Sequence, residues 1–340
     1  MWVLKLPLRS KIMPPELSDI ACLAVTGVTA SGKTRLAVKL ARHFDGEIIS
    51  VDSRQVYKGL DLGTGKDLEE YGSGEQRVPL HLVDIIEPGT QFHLFKFLKL
   101  ARQCILEVHA RGKLPILAGG SALYLHALLS GYETPGAGPD HELRHSWQKF
   151  SLPELIEMLR REASPELFAR SDLTQPRRVI RALEIARSGE SKQACHALNN
   201  CLILAPRFPR AVCHQRIEKR LDQRLQQGMI DEVRNLHRNG LSWQQLEWLG
   251  LEYRCIAAYL QGQTSFEEMR DKLLAQIRQF CKRQDSWFRK MQREGKTIHW
   301  IDEANPEMAI KLTREWLKEQ EQHTSSKNRK LKPTAETELI

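Results

Sequence analysis

From Cys22 onward, short apolar runs of strand length alternate with longer stretches whose apolar residues recur at helical spacing. Cys22-Leu23-Ala24-Val25-Thr26 reads as a first strand, Glu47-Ile48-Ile49-Ser50-Val51 as a second and His81-Leu82-Val83-Asp84-Ile85-Ile86 as a third. Leu114-Pro115-Ile116-Leu117-Ala118 gives a fourth, and residues 35–41, 92–110 and 122–129 supply the helices between them. That alternation predicts a parallel α/β sheet. The texture changes at Thr134-Pro135-Gly136-Ala137-Gly138-Pro139, a hinge signal followed by short helical patterns broken at Pro153 and Pro165. Residues 174–189 open with a proline in the first turn and close at Gly189. A returning strand at 201–205, long helices over about 211–236 and 266–291, and a short strand at 297–301 complete the pattern.

The expected organisation is therefore a flexible N-terminus (residues 1–19), a core from 20–131 and 174–320, a small all-α insertion at 132–173, and a disordered tail at 321–340, rich in Ser, Lys, Thr and Glu. Residues 1–15 have no long apolar stretch or small-residue cleavage site and read as an extension rather than a signal. No apolar run approaches a membrane span. The seven cysteines are scattered with no C-x-x-C pair, which argues against zinc and for reduced thiols in the cytoplasm. The net charge of +9 suits a polyanionic partner.

Between the first strand and helix lies Gly27-Val28-Thr29-Ala30-Ser31-Gly32-Lys33-Thr34, which fits the phosphate-loop pattern G-x-x-x-x-G-K-[ST]. Strand, glycine loop, helix is the order the chemistry needs. Unpaired N–H groups at the helix start attract an anion, Lys33 adds a point charge, and the Thr34 hydroxyl suits a bound Mg²⁺. The fold class is thus α/β, a P-loop NTPase-like parallel sheet core with C-terminal helices. Open parallel sheets bind ligands beyond the carboxyl ends of their strands, so Asp52 and Gly120-Ser121 are privileged as well. A carboxylate at Asp52 can hold a metal, take a proton or cap a helix. Leu82-Val83-Asp84 has the look of a Walker-B ending, yet apolar residues continue past it. In the second half, Arg216, Arg220 and Arg224 share one helix face, Arg177, Arg178 and Arg181 cluster in a first turn, and Gln284 falls on the apolar stripe of the last long helix. A glutamine there needs partners, in the protein or in a ligand.

Several stretches together resemble one family, the bacterial tRNA dimethylallyltransferases. The matches are the phosphate loop, then Ile49-Ser50-Val51-Asp52-Ser53-Arg54-Gln55-Val56-Tyr57-Lys58 with Gly63-Thr64-Gly65-Lys66, and His81-Leu82-Val83-Asp84. Leu117-Ala118-Gly119-Gly120-Ser121-Ala122-Leu123-Tyr124 follows, then Pro176-Arg177-Arg178-Val179-Ile180-Arg181-Ala182-Leu183-Glu184 and Lys282-Arg283-Gln284-Asp285-Ser286-Trp287-Phe288-Arg289. The resemblance covers roughly residues 20 to 300. It implies transfer of a dimethylallyl group from its diphosphate to N6 of the adenosine 3′-adjacent to the anticodon. It implies that the loop holds the substrate diphosphate rather than ATP, with Mg²⁺ as cofactor, that Asp52 is the general base, and that Ser121 lies near the leaving oxygen. It also implies tRNA contacts from Asp52, Ser53, Arg54, Gln55, Arg144, Arg177, Arg178, Arg181, Tyr253, Arg254, Arg283, Gln284 and Arg289, with the anticodon stem-loop as partner of a monomer. The chain departs from the family pattern at Val28, where proline is usual, at Ser121, where threonine is usual, and at Leu249-Gly250-Leu251-Glu252-Tyr253-Arg254, where extra residues separate glycine from tyrosine. The alternatives are a P-loop kinase of a small molecule or nucleoside, and a catalytically silent tRNA-binding relative. The basic second half speaks against the first, and intact Lys33, Asp52 and Ser121 against the second.

Overall fold

The computed structural model describes residues 16–132, 134–135, 140–188, 192–193 and 197–330. In chain order the elements are β1 (Cys22–Thr26), α1 (Lys33–His43), β2 (Gly46–Ser50), β3 (Leu80–His81), α2 (Leu94–Ala110), β4 (Leu114–Gly119) and α3 (Ala122–Leu129). A second group follows: β5 (Thr134–Pro135), α4 (His141–Trp147), α5 (Leu152–Glu162), α6 (Pro165–Arg170), α7 (Pro176–Ser188) and β6 (Lys192–Gln193). The chain then runs through β7 (Cys201–Arg207), α8 (Arg210–Gln226), α9 (Met229–Arg238), α10 (Trp243–Leu249), α11 (Leu251–Leu260), α12 (Phe266–Arg293), β8 (Ile298–Asp302) and α13 (Pro306–Lys330).

Six strands form one sheet in the order β3-β2-β4-β1-β7-β8, and every pairing in it is parallel. The strands β1 and β2 are buried along their whole length, as a sheet covered on both faces requires. Alternate residues divide between the two faces. Cys22, Ala24, Ile49 and Leu117 pack with α2, α3 and the Phe288 and Met291 end of α12, while Leu23, Val25, Ile48 and Ile116 pack with Leu36 and Leu40 of α1 and Ala309 of α13. A third cluster joins α8 to α12 with Val56, Tyr57 and Leu60. Its helices start cleanly: Ser242 with Gln245, and Ser265 with Glu268, close capping boxes on α10 and α12.

The chain divides into two compact units, one of residues 1–129 and 198–340, the other of Ser130–Ala197. The second unit has its own core, where Trp147, Leu155 and Leu159 meet Val179 and Leu183 of α7. The insertion is therefore longer than the sequence suggested. It takes in α7, whose apolar face packs on α5, and it is not all-α, because β5 and β6 pair antiparallel.

Other expectations change for equally local reasons. Within the N-terminal stretch read as flexible, a 3₁₀ turn at Leu17–Asp19 buries Leu17; residues 1–15 lie outside the described residues. The helix α13 continues to Lys330, so the expected tail is helical over 321–330, and 331–340 lie outside the described residues. The third strand stops at His81, since Leu82 (φ 61°) and Asp84 (φ 55°) take left-handed conformations incompatible with a strand. The helix expected over 211–236 is broken by Gly228 into α8 and α9. Among the described residues no helix is long and apolar enough to cross a membrane.

Candidate functional site

Because β2, β4 and β1 are neighbours in the sheet, the loops leaving their carboxyl ends lie side by side. Thr26 is level with Gly119, and Ser50 with Ala118. The phosphate loop, Asp52 and Ser121 are brought together by this register alone. Gly32 caps α1 and leaves that helix's first N–H groups facing the cleft without a side-chain partner.

Gln284 of α12 ties the loops to each other. Its Oε1 accepts the Thr29 N–H at 2.8 Å and its Nε2 donates to the Gly120 carbonyl at 2.8 Å. Gly120 has to be glycine for this: a Cβ there would stand 2.7 Å from Gln284 Nε2 and 3.6 Å from Lys33 Nζ. Gln284, expected at the RNA, is buried, and each end of its amide makes a hydrogen bond within the protein.

Asp52 follows the end of β2. No helix begins there, so its carboxylate is not a helix cap; Oδ1 accepts the Arg54 N–H at 2.8 Å and the Gln55 N–H at 3.4 Å. Burial pushes its carboxyl above the usual range, opposed by the Arg54 N–H and the positive field of Lys33. Burial pushes the Lys33 ammonium down to about 8, helped by Arg220 and opposed by Asp52. Ser121 Oγ accepts the Ser53 N–H at 3.2 Å, which leaves its own proton to donate.

Opposite the phosphate loop stands α8. Arg216, Arg220 and Arg224 line a cleft of about 460 Å³ together with Lys33, Thr34 and Asp67. Arg220 and Arg224 each reach one oxygen of Asp67, the second at 2.9 Å. The sequence showed the i, i+4, i+8 spacing of these arginines but not their destination, and they are the clearest additions to the site. Thr34 and the phosphates of a ligand suit Mg²⁺, which keeps waters and takes few protein ligands. Among the described residues no group of three or more His, Cys, Asp or Glu could hold a metal without such a ligand.

Asp84 lies beyond the end of β3 and so does not stand at a Walker-B strand end. It ends in an ion pair with Lys66, whose buried ammonium also reaches Asp61 at 2.6 Å and the Tyr57 carbonyl at 2.8 Å. Tyr253, expected at the RNA, lies in the core and donates to Glu232 Oε1 at 2.7 Å. The same Glu232 accepts the N–H groups of Asp61, Leu62 and Gly63. Beside Tyr253 in the departing motif, Glu252 lines a small cavity of about 30 Å³ with Thr29, Arg220 and Arg224.

A family model described as IPP transferase matches residues 55–291. The chain belongs to the IPP transferase family. It is 45% identical over 281 residues to tRNA dimethylallyltransferase 1 of Geotalea uraniireducens, covering 82% of this chain and 92% of that relative. It is 44% identical over 288 residues to tRNA dimethylallyltransferase 2 of Shewanella sediminis, covering 84% and 94%. The crystal structure of the full-length tRNA isopentenylpyrophosphate transferase from Bacillus halodurans superposes with a TM-score of 0.65 at 32% identity, over 90% of this chain and 99% of that one. A eukaryotic dimethylallyltransferase acting on tRNA shares the fold with a TM-score of 0.73 at 21% identity, over 88% and 80%.

The stretch matched by the IPP transferase model starts after the phosphate loop and Asp52, so the placement of those two rests on the sheet register above. In the first unit, Arg54 has no carboxylate partner among the described residues, whereas the Gln55 amide is held by Ser50 Oγ and the Gly65 carbonyl. Arg254 donates to Gln276 at 2.8 Å, Arg283 lies over the Phe280 ring, and Arg289 pairs with Asp285 at 2.7 Å on the exposed side of α12. In the second unit, Arg144 and Arg181 both bind the buried Glu184, Arg178 pairs with Asp172, and Arg177 is exposed.

Proposed function

We propose that this chain transfers the dimethylallyl group of dimethylallyl diphosphate to N6 of the adenosine 3′-adjacent to the anticodon of tRNAs, releasing diphosphate. The observation that carries this reading is the arginine-walled cleft over the phosphate loop, with Asp52 in the positive field of Lys33 and Ser121 hydrogen-bonded to the residue that follows Asp52. The phosphate loop, Arg220 and Arg224 bind the diphosphate and take up the charge that grows as it leaves. The bond from the allylic carbon to the bridging oxygen breaks, the bond from that carbon to N6 forms, and Asp52 accepts the N6 proton. An exocyclic adenine amine is a poor nucleophile, so a carboxyl raised by burial is suited to the task. Ser121 donates its proton toward the bridging oxygen. Thr34 would hold Mg²⁺ together with a bound diphosphate, and the ion would supply positive charge for the leaving group. The target base leaves its stack to enter the cleft, and Ser53, Arg54, Arg254, Arg283, Arg289 and the arginines of the second unit contact the anticodon stem-loop.

Such an enzyme works as a monomer in the cytoplasm. The test is mass spectrometry of tRNA nucleosides after incubation with dimethylallyl diphosphate, Mg²⁺ and unmodified tRNA. An N6-dimethylallyl adenosine is expected; its absence, together with ATP-dependent phosphorylation of a small alcohol or nucleoside, would favour the kinase reading instead.

A further inference from the structure

The loop between Leu60 and Asp67 is held far more firmly than its surface position requires. Glu232 takes three of its N–H groups, Lys66 is buried against Tyr57, Asp61 and Asp84, and Gln55 Nε2 donates to the Gly65 carbonyl at 3.1 Å. Gln55 in turn donates its N–H to Asp52. These hydrogen bonds lead from Asp52 to the Gly65 carbonyl, two residues before the residue this loop presents, Asp67, which sits in a left-handed conformation at φ 46°, ψ 50°. Its two oxygens take two different arginines of α8. The loop comes close enough to do so because Gly65 lacks a side chain: a Cβ there would stand 2.0 Å from Arg224 Nη2.

Arg220 and Arg224 lie one turn apart on a half-buried helix face, where two guanidinium groups repel and are costly to desolvate. Left alone they would splay toward water. We propose that Asp67 is a positioning residue that binds Arg220 and Arg224 as a pair and presents them, aligned, to the diphosphate opposite the phosphate loop. The proposal rests on the reading that this cleft takes a diphosphate. It assigns Asp67 no contact with the reacting atoms. Asp67 acts through the arginines and offsets part of their charge, so its effects on affinity and on turnover have opposite signs.

The test is Asp67→Asn, because asparagine tolerates the left-handed region and keeps the shape while removing the charge. Binding of inorganic pyrophosphate is measured by calorimetry, and kcat for dimethylallyl transfer to a tRNA transcript is measured at saturating substrates. Pyrophosphate is expected to bind about threefold tighter or more, since a competing negative charge has gone, while kcat falls about tenfold or more through lost alignment. The substitution is repeated in an Arg224→Gln background, where both effects should shrink to less than about threefold. Weaker pyrophosphate binding with lower kcat, or full additivity of the two substitutions, overturns the proposal, as does an unchanged kcat. If the wild-type chain fails to prenylate tRNA, the proposed reaction falls, yet the pyrophosphate isotherms still decide whether Asp67 is coupled to the arginines.

Discussion

Two arginine clusters look alike in the sequence and differ in the structure. In α8, Arg220 and Arg224 converge on Asp67, a residue more than 150 positions away, and the Arg224 side chain is only 13% exposed. In the second unit, Arg181 shares the buried Glu184 with Arg144, Arg178 pairs with the nearby Asp172 at the surface, and Arg177 points its charge to solvent. Helical spacing gives the same signal in both places. What separates them is the carboxylate each meets and how much water remains around it. A half-buried, aligned pair suits a small ligand with concentrated charge and one permitted position. An exposed arginine suits the spread phosphates of a nucleic acid, where long-range attraction matters more than geometry and salt weakens the contact.

The comparison is sharpened most by a change that leaves both clusters untouched. Asp52→Asn keeps an oxygen for the Arg54 and Gln55 N–H groups but removes the base. It should lower kcat by about 10²–10⁴-fold while pyrophosphate and tRNA affinities stay within about threefold. Equal losses in turnover and in affinity would make this carboxylate structural. Next in size is Arg220→Ala, which should lower kcat/KM for dimethylallyl diphosphate by about 10–100-fold, the value of a charge-assisted hydrogen bond, with tRNA affinity unchanged. If tRNA binding weakened equally, the two clusters would not be functionally distinct.

The pH profile separates them again. The reaction needs Asp52 ionised and, for substrate capture, Lys33 charged. Burial raises the first group and lowers the second to about 8, so kcat/KM should climb as Asp52 loses its proton and fall above about pH 8 as Lys33 loses its own. A bound diphosphate favours the charged ammonium, so the alkaline limb should move upward in kcat. Guanidinium groups do not titrate in this range, so tRNA affinity should show no limb near pH 8. A limb there would tie Lys33 to RNA binding.

The parts of the site legible in the sequence are those built locally. The phosphate loop follows from a strand, a glycine pattern and a helix, and Asp52 and Ser121 stand out because they end apolar runs. Their adjacency needed the strand order, which places β4 between β2 and β1. The parts that were not legible depend on partners distant in the chain. Nothing near Asp67 announces Arg224, and nothing near Gln284 announces Thr29. Tyr253 is expected at the RNA from the family resemblance, yet Leu246, Leu249, Tyr253 and Ile256 all lie in the buried helical cluster, and Glu232 satisfies the hydroxyl. The strand expected over 81–86 fails because the ion pair of Lys66 with Asp84 and the left-handed turns around it outweigh the β propensity of the apolar residues.

The smallest expected effect tests the shallow cluster directly. Arg177 is exposed, so it has little desolvation cost to overcome when a phosphate approaches. Arg177→Ala should weaken tRNA binding by about 1 kcal/mol or less, similarly for different tRNAs, and reduce the slope of log affinity against log salt by about 1. Titration of a tRNA transcript at several salt concentrations measures both quantities, and the KM for dimethylallyl diphosphate should not move. Arg178→Ala should cost less still, because a phosphate must first displace Asp172 from Arg178. An unchanged salt slope in both variants would mean that these arginines serve only the second unit's own surface, and the contrast with α8 would then be one of burial without a difference in ligand.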